Sequence, residues 1–343
     1  MKRHIFDVQF LLYLFAGLLV VYSHSPAMAQ EAPKIAYSDT SFYTFKEIVE
    51  MAGRSKLDYI VSELPDTATI EEKPTTVMSN QMYQIETDSG ITIEKYSISD
   101  SAIQTLHQAD SVFRAGDFQS ALQLYRNAQQ IEPTYHYALT LIGDAFYRMG
   151  IYDSAQSYFE HAIDENFDDY DAHWFLGDDL WKLGETERAI NEYTVAHILN
   201  VNNETIRNVL KSRRQQIDRL WKDWDFKPVY EISRQGDTVS IHTQAKWIGY
   251  AFVKAFLENE PGYGKGMCDS TGEHGVSMRT ELQAIIANIP IHEDSTLLTQ
   301  ILNDNHMIQF VFYEVIAQKY PDVMMTLPKS DFAKIVEYVN KYH

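Results

Sequence analysis

The chain has a single cysteine, Cys268, in 343 residues, so no internal disulfide can form and packing alone has to hold the fold. Glycine and proline are few, 15 and 10 residues, which excludes collagen-like and Gly/Pro-rich low-complexity chains. Basic residues are scarce: 29 Lys and Arg stand against 48 Asp and Glu, a formal charge of -19. A polyanion repels phosphate backbones and anionic headgroups, so neither nucleic acid nor a membrane surface is an expected partner. The short basic cluster Lys211-Ser212-Arg213-Arg214 reads as a solvated helix face. Long hydrophobic runs are missing too. The apolar run from Phe10 to Tyr22 falls short of the ~20 residues that a helix needs to cross a bilayer.

What is present is enough to fold. Hydrophobic residues make up 45% and aromatics 13% of the chain, and the length allows two or three units. Met1-Lys2-Arg3, the apolar run, and Ala27-Met28-Ala29 before Gln30 follow the charged, apolar, small-residue order of a signal peptide. Residues 1–29 are therefore expected to be removed after Ala29, with no membrane insertion afterwards, leaving an exported, soluble, periplasmic or extracellular protein. Residues 30–101 read as a partly ordered preface. In it, one helix is expected over 41–64, and a β-hairpin over 82–96 around Asp88-Ser89-Gly90.

Between residues 102 and 203 the sequence repeats with a period of 34 and no insertion. Gly116, Gly150 and Gly184 form one column. Others are Ala121, Ala155 and Ala189; Tyr125, Phe159 and Tyr193; Ala128, Ala162 and Ala196; and the small residues Ala109, Gly143 and Gly177. Each copy reads as a helix, a tight turn at the glycine and a second helix. Small residues let the helices cross closely, and the aromatic column fills the space between neighbours. A hairpin of this kind buries its apolar face only by stacking on the next.

This pattern resembles the tetratricopeptide repeat family over 102–135, 136–169 and 170–203, with Leu176-Gly177 and Pro133 matching it directly. Phe167 and Val201 depart from it where proline is usual, as does Thr186 where the other copies have Phe118 and Tyr152. The resemblance implies a mostly α fold, an α-solenoid of three helix-turn-helix repeats. A capping helix is expected over 204–224, with Ile206, Val209, Leu210, Ile217, Leu220, Trp221 and Trp224 on one stripe. Residues 225–343 are expected to form a small, mainly helical α+β domain that opens with a hairpin around Gln235-Gly236-Asp237.

The resemblance also implies that the first helices line a groove which holds a partner protein or peptide. Three columns lie on them: Asp110, Asp144 and Asp178; Phe113, Tyr147 and Trp181; Arg114, Arg148 and Lys182. Rigid aromatics suit interface anchors. The charged columns either set register or form intrahelical pairs, since acid and base are four residues apart. The aspartates would repel the terminal carboxylate that one subfamily clamps, so an apolar or basic ligand is expected.

Chemistry is less well marked. Cys268 and His274 share a glycine-rich stretch, but spacing alone supplies no orienting third group. His292, Glu293 and Asp294 are consecutive and point apart, and no metal or phosphate-loop motif is present. We expect a protein-binding adaptor or scaffold, not an enzyme, with no cofactor. The alternative is that residues 225–343 form a small hydrolase or ligand-binding module positioned by the repeats.

Overall fold

The computed structural model describes residues 5–6, 42–65, 67, 82–87, 90–223, 226–260, 263, 270–271, 276–289, 295–318 and 320–343. Most of the expected leader, Trp224, Cys268, His274 and His292 to Asp294 lie outside them. In chain order the elements begin with β1 (Ile5–Phe6), α1 (Phe45–Ala52), β2 (Asp58–Glu63), β3 (Met82–Thr87) and β4 (Gly90–Lys95). The helical array follows as α2 (Asp100–Arg114), α3 (Phe118–Ile131), α4 (Tyr137–Arg148), α5 (Tyr152–Glu165), α6 (Tyr170–Leu183), α7 (Thr186–Leu199) and α8 (Glu204–Gln216). Then come β5 (Tyr230–Gln235), β6 (Thr238–Thr243), α9 (Ile248–Asn259), β7 (Ser270–Thr271), β8 (Val276–Ser277), α10 (Met278–Asn288), α11 (Ser295–Asn303) and α12 (Met307–Phe310). A π-helical turn (Val311–Ile316), a 3-10 segment (Pro321–Thr326) and α13 (Lys329–Tyr342) close the chain.

The chain divides into two units that do not follow the expected boundaries. One takes Met1–Glu72 with Phe226–Val311, and the other takes Lys73–Asp225 with Phe312–His343. The preface expected over 30–101 is thus split, and so is the domain expected over 225–343. The last 32 residues join the helical array.

In the array, α2 to α7 form three hairpins with the expected period. The turns need glycine for its backbone: Gly116, Gly150 and Gly184 have φ of 86°, 76° and 83°. Gly143 and Gly177 answer to packing instead. A Cβ there would lie 2.5 Å from the Phe159 ring and 2.9 Å from the Tyr193 ring. Asp117, Asp169 and Asn203 cap α3, α6 and α8 by accepting backbone N–H groups.

Helix α8 is shorter than the 204–224 expected. It ends at Gln216, and Asp218 turns the chain out of helix at φ 59°. Leu220 is left exposed, while Trp221 packs on the rings of His343 (4.7 Å) and His197 (5.6 Å). The proline-to-Phe departure at 167 also has a use. The Phe167 ring meets the buried Phe332 of α13 edge-on at 5.2 Å, so it docks the returning carboxy-terminal helix. Glutamate 314 accepts from Tyr338 Oη (3.0 Å) and bonds His343 Nε2 (2.6 Å). The His197 ring bonds Tyr313 Oη at 2.7 Å. Hairpin β3–β4 lies along the inter-repeat turns, where Gln84 donates to Asp168 Oδ1 (3.0 Å) and Tyr83 stacks on Tyr96 (4.5 Å).

In the other unit, strands run in the order β1-β2-β6-β5, with β2 and β6 parallel. The helix expected over 41–64 stops at Ala52; the remainder becomes β2, whose Tyr59 and Val61 are buried. They lie on the face shared by Val239 and Ile241, and Tyr59 meets Phe252 of α9 at 5.6 Å. Residues 249–257 of α9 are all buried, and Lys254 is paired there with Glu281, which also accepts from Tyr250 Oη. Helix α13 starts at Lys329 behind Pro328, with no side-chain cap.

Candidate functional site

The three columns singled out in the sequence fall on α2, α4 and α6 at matching positions. The aspartates and aromatics are partly buried, and Arg114, Arg148 and Lys182 are exposed. Each aromatic sits near the hairpin turn. The Phe113 ring lies 5.1 Å from Phe118, the residue that opens α3, and Tyr147 lies 5.7 Å from Tyr152, which opens α5. Thr186 opens α7 and offers no ring. Trp181 is covered instead by the Arg213 guanidinium of α8, 4.9 Å from its centroid. Arg148 is placed likewise, 5.8 Å over Phe113 and 5.5 Å over Phe118, so this base of the second hairpin rests on the aromatics of the first.

The intrahelical pairs that the four-residue spacing allowed do not form. Among the described residues no ion pair joins Asp110 to Arg114, Asp144 to Arg148 or Asp178 to Lys182. Arg114 Nε donates to the backbone carbonyl of Asp110 at 3.1 Å. The carboxylates turn to the second helix: Tyr125 Oη donates to Asp110 Oδ1 at 2.9 Å, and Tyr193 Oη donates to Asp178 Oδ1 at 2.7 Å. Arg213 also reaches Asp178, at 3.4 Å. Burial and these aspartates raise both phenols above the usual tyrosine range.

The middle copy breaks the pattern because Phe159 has no hydroxyl. Burial pushes Asp144 up to about 6; Arg148 opposes the shift, and Asp171 and Asp178 add to it. Asp171 itself accepts from Tyr137 Oη at 2.9 Å, and Asp169 from Thr140 Oγ1 at 2.6 Å. Tyr147 is pushed up to about 12, by burial and then by Asp178.

Some groups of interest were not singled out in the sequence. Asp179 is fully buried with neither carboxylate oxygen bonded, and it is pushed up to about 7 by burial, Asp153 and Glu160. The signal for it was available, since the same column reads Ser111 and Ala145 in the other copies. Arg213 had been read only as solvated surface; its reach to Trp181 and Asp178 depends on how α8 stacks. In the other unit, Ser62 Oγ bonds His242 Nδ1 across β2 and β6, and Glu231 faces His242 from β5. Ser62 and His242 are partly buried and Glu231 is exposed.

The described residues contain no group of three or more His, Cys, Asp or Glu that could hold a metal ion. None of the described helices is long and apolar enough to cross a membrane.

Comparison with known proteins agrees with the array. Residues 112–169 match the tetratricopeptide repeat family. No curated protein matches the chain. Among solved structures, the first tetratricopeptide repeat domain of Spaghetti (RPAP3), bound to the HSP90 peptide SRMEEVD, is 20% identical, covering 35% of this chain and 97% of that one at a TM-score of 0.33. The Yersinia enterocolitica type III secretion chaperone SycD, in complex with a peptide of the translocator YopD, is 17% identical over 35% of this chain and 94% of that one, also at 0.33. The Sgt2 domain from Aspergillus fumigatus is 16% identical over 38% and 93%, again at 0.33. The helical-hairpin array is thus similar to tetratricopeptide repeats, with the family match confined to residues 112–169.

Proposed function

We propose that the protein is an exported scaffold which holds a polypeptide segment against the face formed by α2, α4 and α6. The observation that carries this reading is the row Phe113, Tyr147 and Trp181. Three large rings recur one hairpin apart on the same helix face, and each stays only partly buried although the hairpins are fully stacked. Aromatics held rigid by their own turns and by Arg148 and Arg213 suit interface anchors, because little side-chain entropy remains to be lost on binding. Export is supported by the order of residues 1–30.

The test is site-specific photocrosslinking in the envelope fraction, with a photoreactive phenylalanine at position 147 compared with one at Ser157 on the exposed side of α5. A discrete protein adduct at 147 that is absent at 157, and that is lost when Phe113 and Trp181 are both changed to alanine, is the expected result. Equal crosslinking at both positions would remove the face from consideration.

The alternative of hydrolytic activity has one observation in its favour, the row Ser62, His242 and Glu231 across three strands. Polar cross-strand pairs are also ordinary on a solvated sheet face. Hydrolysis of an activated ester by the wild type, abolished in Ser62→Ala, would be needed to prefer it.

A further inference from the structure

We infer that Asp144 is the point at which this face receives a cationic side chain, lysine or arginine, from the bound polypeptide; the inference deepens the function proposed above and rests on it. Three equivalent carboxylates lie along the first helices, and the fold satisfies two of them. Asp110 takes the Tyr125 phenol, and Asp178 takes the Tyr193 phenol and the edge of Arg213. At Asp144 each internal donor is missing for a visible reason. The residue 15 positions on is Phe159, which has no hydroxyl. The base four positions on is Arg148, whose guanidinium lies over Phe113 and Phe118 of the previous hairpin. Nearby Tyr137 is committed to Asp171.

A partly buried carboxylate without a donor is an unfavourable arrangement, and a donor from outside would relieve it. That donor has to be positive. Asp171 and Asp178 bear on the same carboxylate and deepen its negative surroundings, as the charge of -19 does at longer range. A metal ion fits poorly, since no group of three ligating side chains with suitable geometry occurs among the described residues. A lysine or arginine side chain fits well. Tyr147 lies one turn along α4 and offers a ring for the aliphatic stem or the cationic head.

The test uses the full chain and blocked nonapeptides of alanine and tyrosine, identical except for a central Lys, Arg, Gln or Glu, with affinity read by calorimetry. Wild type is expected to bind the Lys and Arg peptides about tenfold more tightly than the Gln peptide, a difference of ~1.4 kcal/mol, and the Glu peptide weakest. Phe159→Tyr supplies the phenol that the first and third hairpins already accommodate. It is expected to keep the fold and reduce the preference to about threefold or less, as is Asp144→Asn. Equal affinity for the Lys and Gln peptides, no binding of any peptide by wild type, or a preference that survives both substitutions would overturn the inference. Crosslinking at position 147 reads the scaffold function separately: if it persists, the face binds a partner without this anchor.

Discussion

At the scale of the residue, Asp179 stands out because it is buried where the matching positions of the other copies hold small, uncharged groups, the exposed Ser111 and the buried Ala145. Placing a carboxylate there leaves two buried oxygens with no donor, and Asp153 and Glu160 add repulsion. An unsatisfied buried polar group costs ~1 to 3 kcal/mol. Asp179→Ala is therefore expected to raise stability by about that amount, seen as a higher midpoint in urea unfolding followed by circular dichroism. Asp179→Asn should gain less, since the amide also lacks partners. A lower midpoint for the alanine variant would refute this account of the site.

At the scale of the element, the array is closed by more than its own last helix. Helix α8 covers α7 over three turns and then gives way to Trp221, which the carboxy-terminal segment packs against. Asn340 accepts from Thr194 Oγ1 at 3.0 Å and from Arg214 Nη1 at 3.2 Å, tying α13 to both α7 and α8. Phe332, 1% exposed, is the apolar contact of the same helix with Phe167. Phe332→Ala should cost ~3 to 5 kcal/mol, the usual range for a buried phenylalanine. In hydrogen exchange, protection should fall across α13 and the end of α7 while the first hairpin changes little. Uniform loss of protection through all three hairpins would show that α13 does not act locally.

At the scale of the whole molecule, buried carboxyls set the direction of the pH dependence. Asp144 and Asp168 are pushed up to about 6, and Asp169 and Asp179 up to about 7, in each case chiefly by burial. Each binds its proton more tightly folded than unfolded, so its contribution is fully present below the unfolded carboxylate value, near 4, and is lost as pH rises through 6 to 7. His197 opposes this. Burial lowers it to about 3, so its contribution is present above the unfolded histidine value near 6.5 and is lost as pH falls toward 3. Among the described residues these carboxyls, with Glu258 also raised by burial, outweigh His197 between pH 5 and 7.5. The thermal midpoint is expected to be higher at pH 5 than at pH 7.5, and Asp179→Ala should narrow the gap by raising the value at pH 7.5. A midpoint that rises from pH 5 to 7.5 would contradict it.

The sequence by itself determined the array. Its 34-residue period placed the turns at Gly116, Gly150 and Gly184 and put three chemical columns on the first helices, because a hairpin is specified by residues within a few turns of each other. It also held the missing hydroxyl at Phe159 and the misplaced charge at Asp179, which become readable once the copies are aligned. Only the tertiary structure decided the rest. Residues 58–63 become a strand because they pair in parallel with 238–243, some 180 positions away, and no local pattern could announce that partner against a helical reading. Residues 312–343 leave the unit of their sequence neighbours and join the repeats through Phe167, Arg214 and Thr194. Whether Asp110 and Asp178 paired along their helix or across to the next was equally open, since i,i+4 spacing permits a contact and only the competition with Tyr125 and Tyr193 chooses it; at Asp144 the rings beneath Arg148 draw the base away.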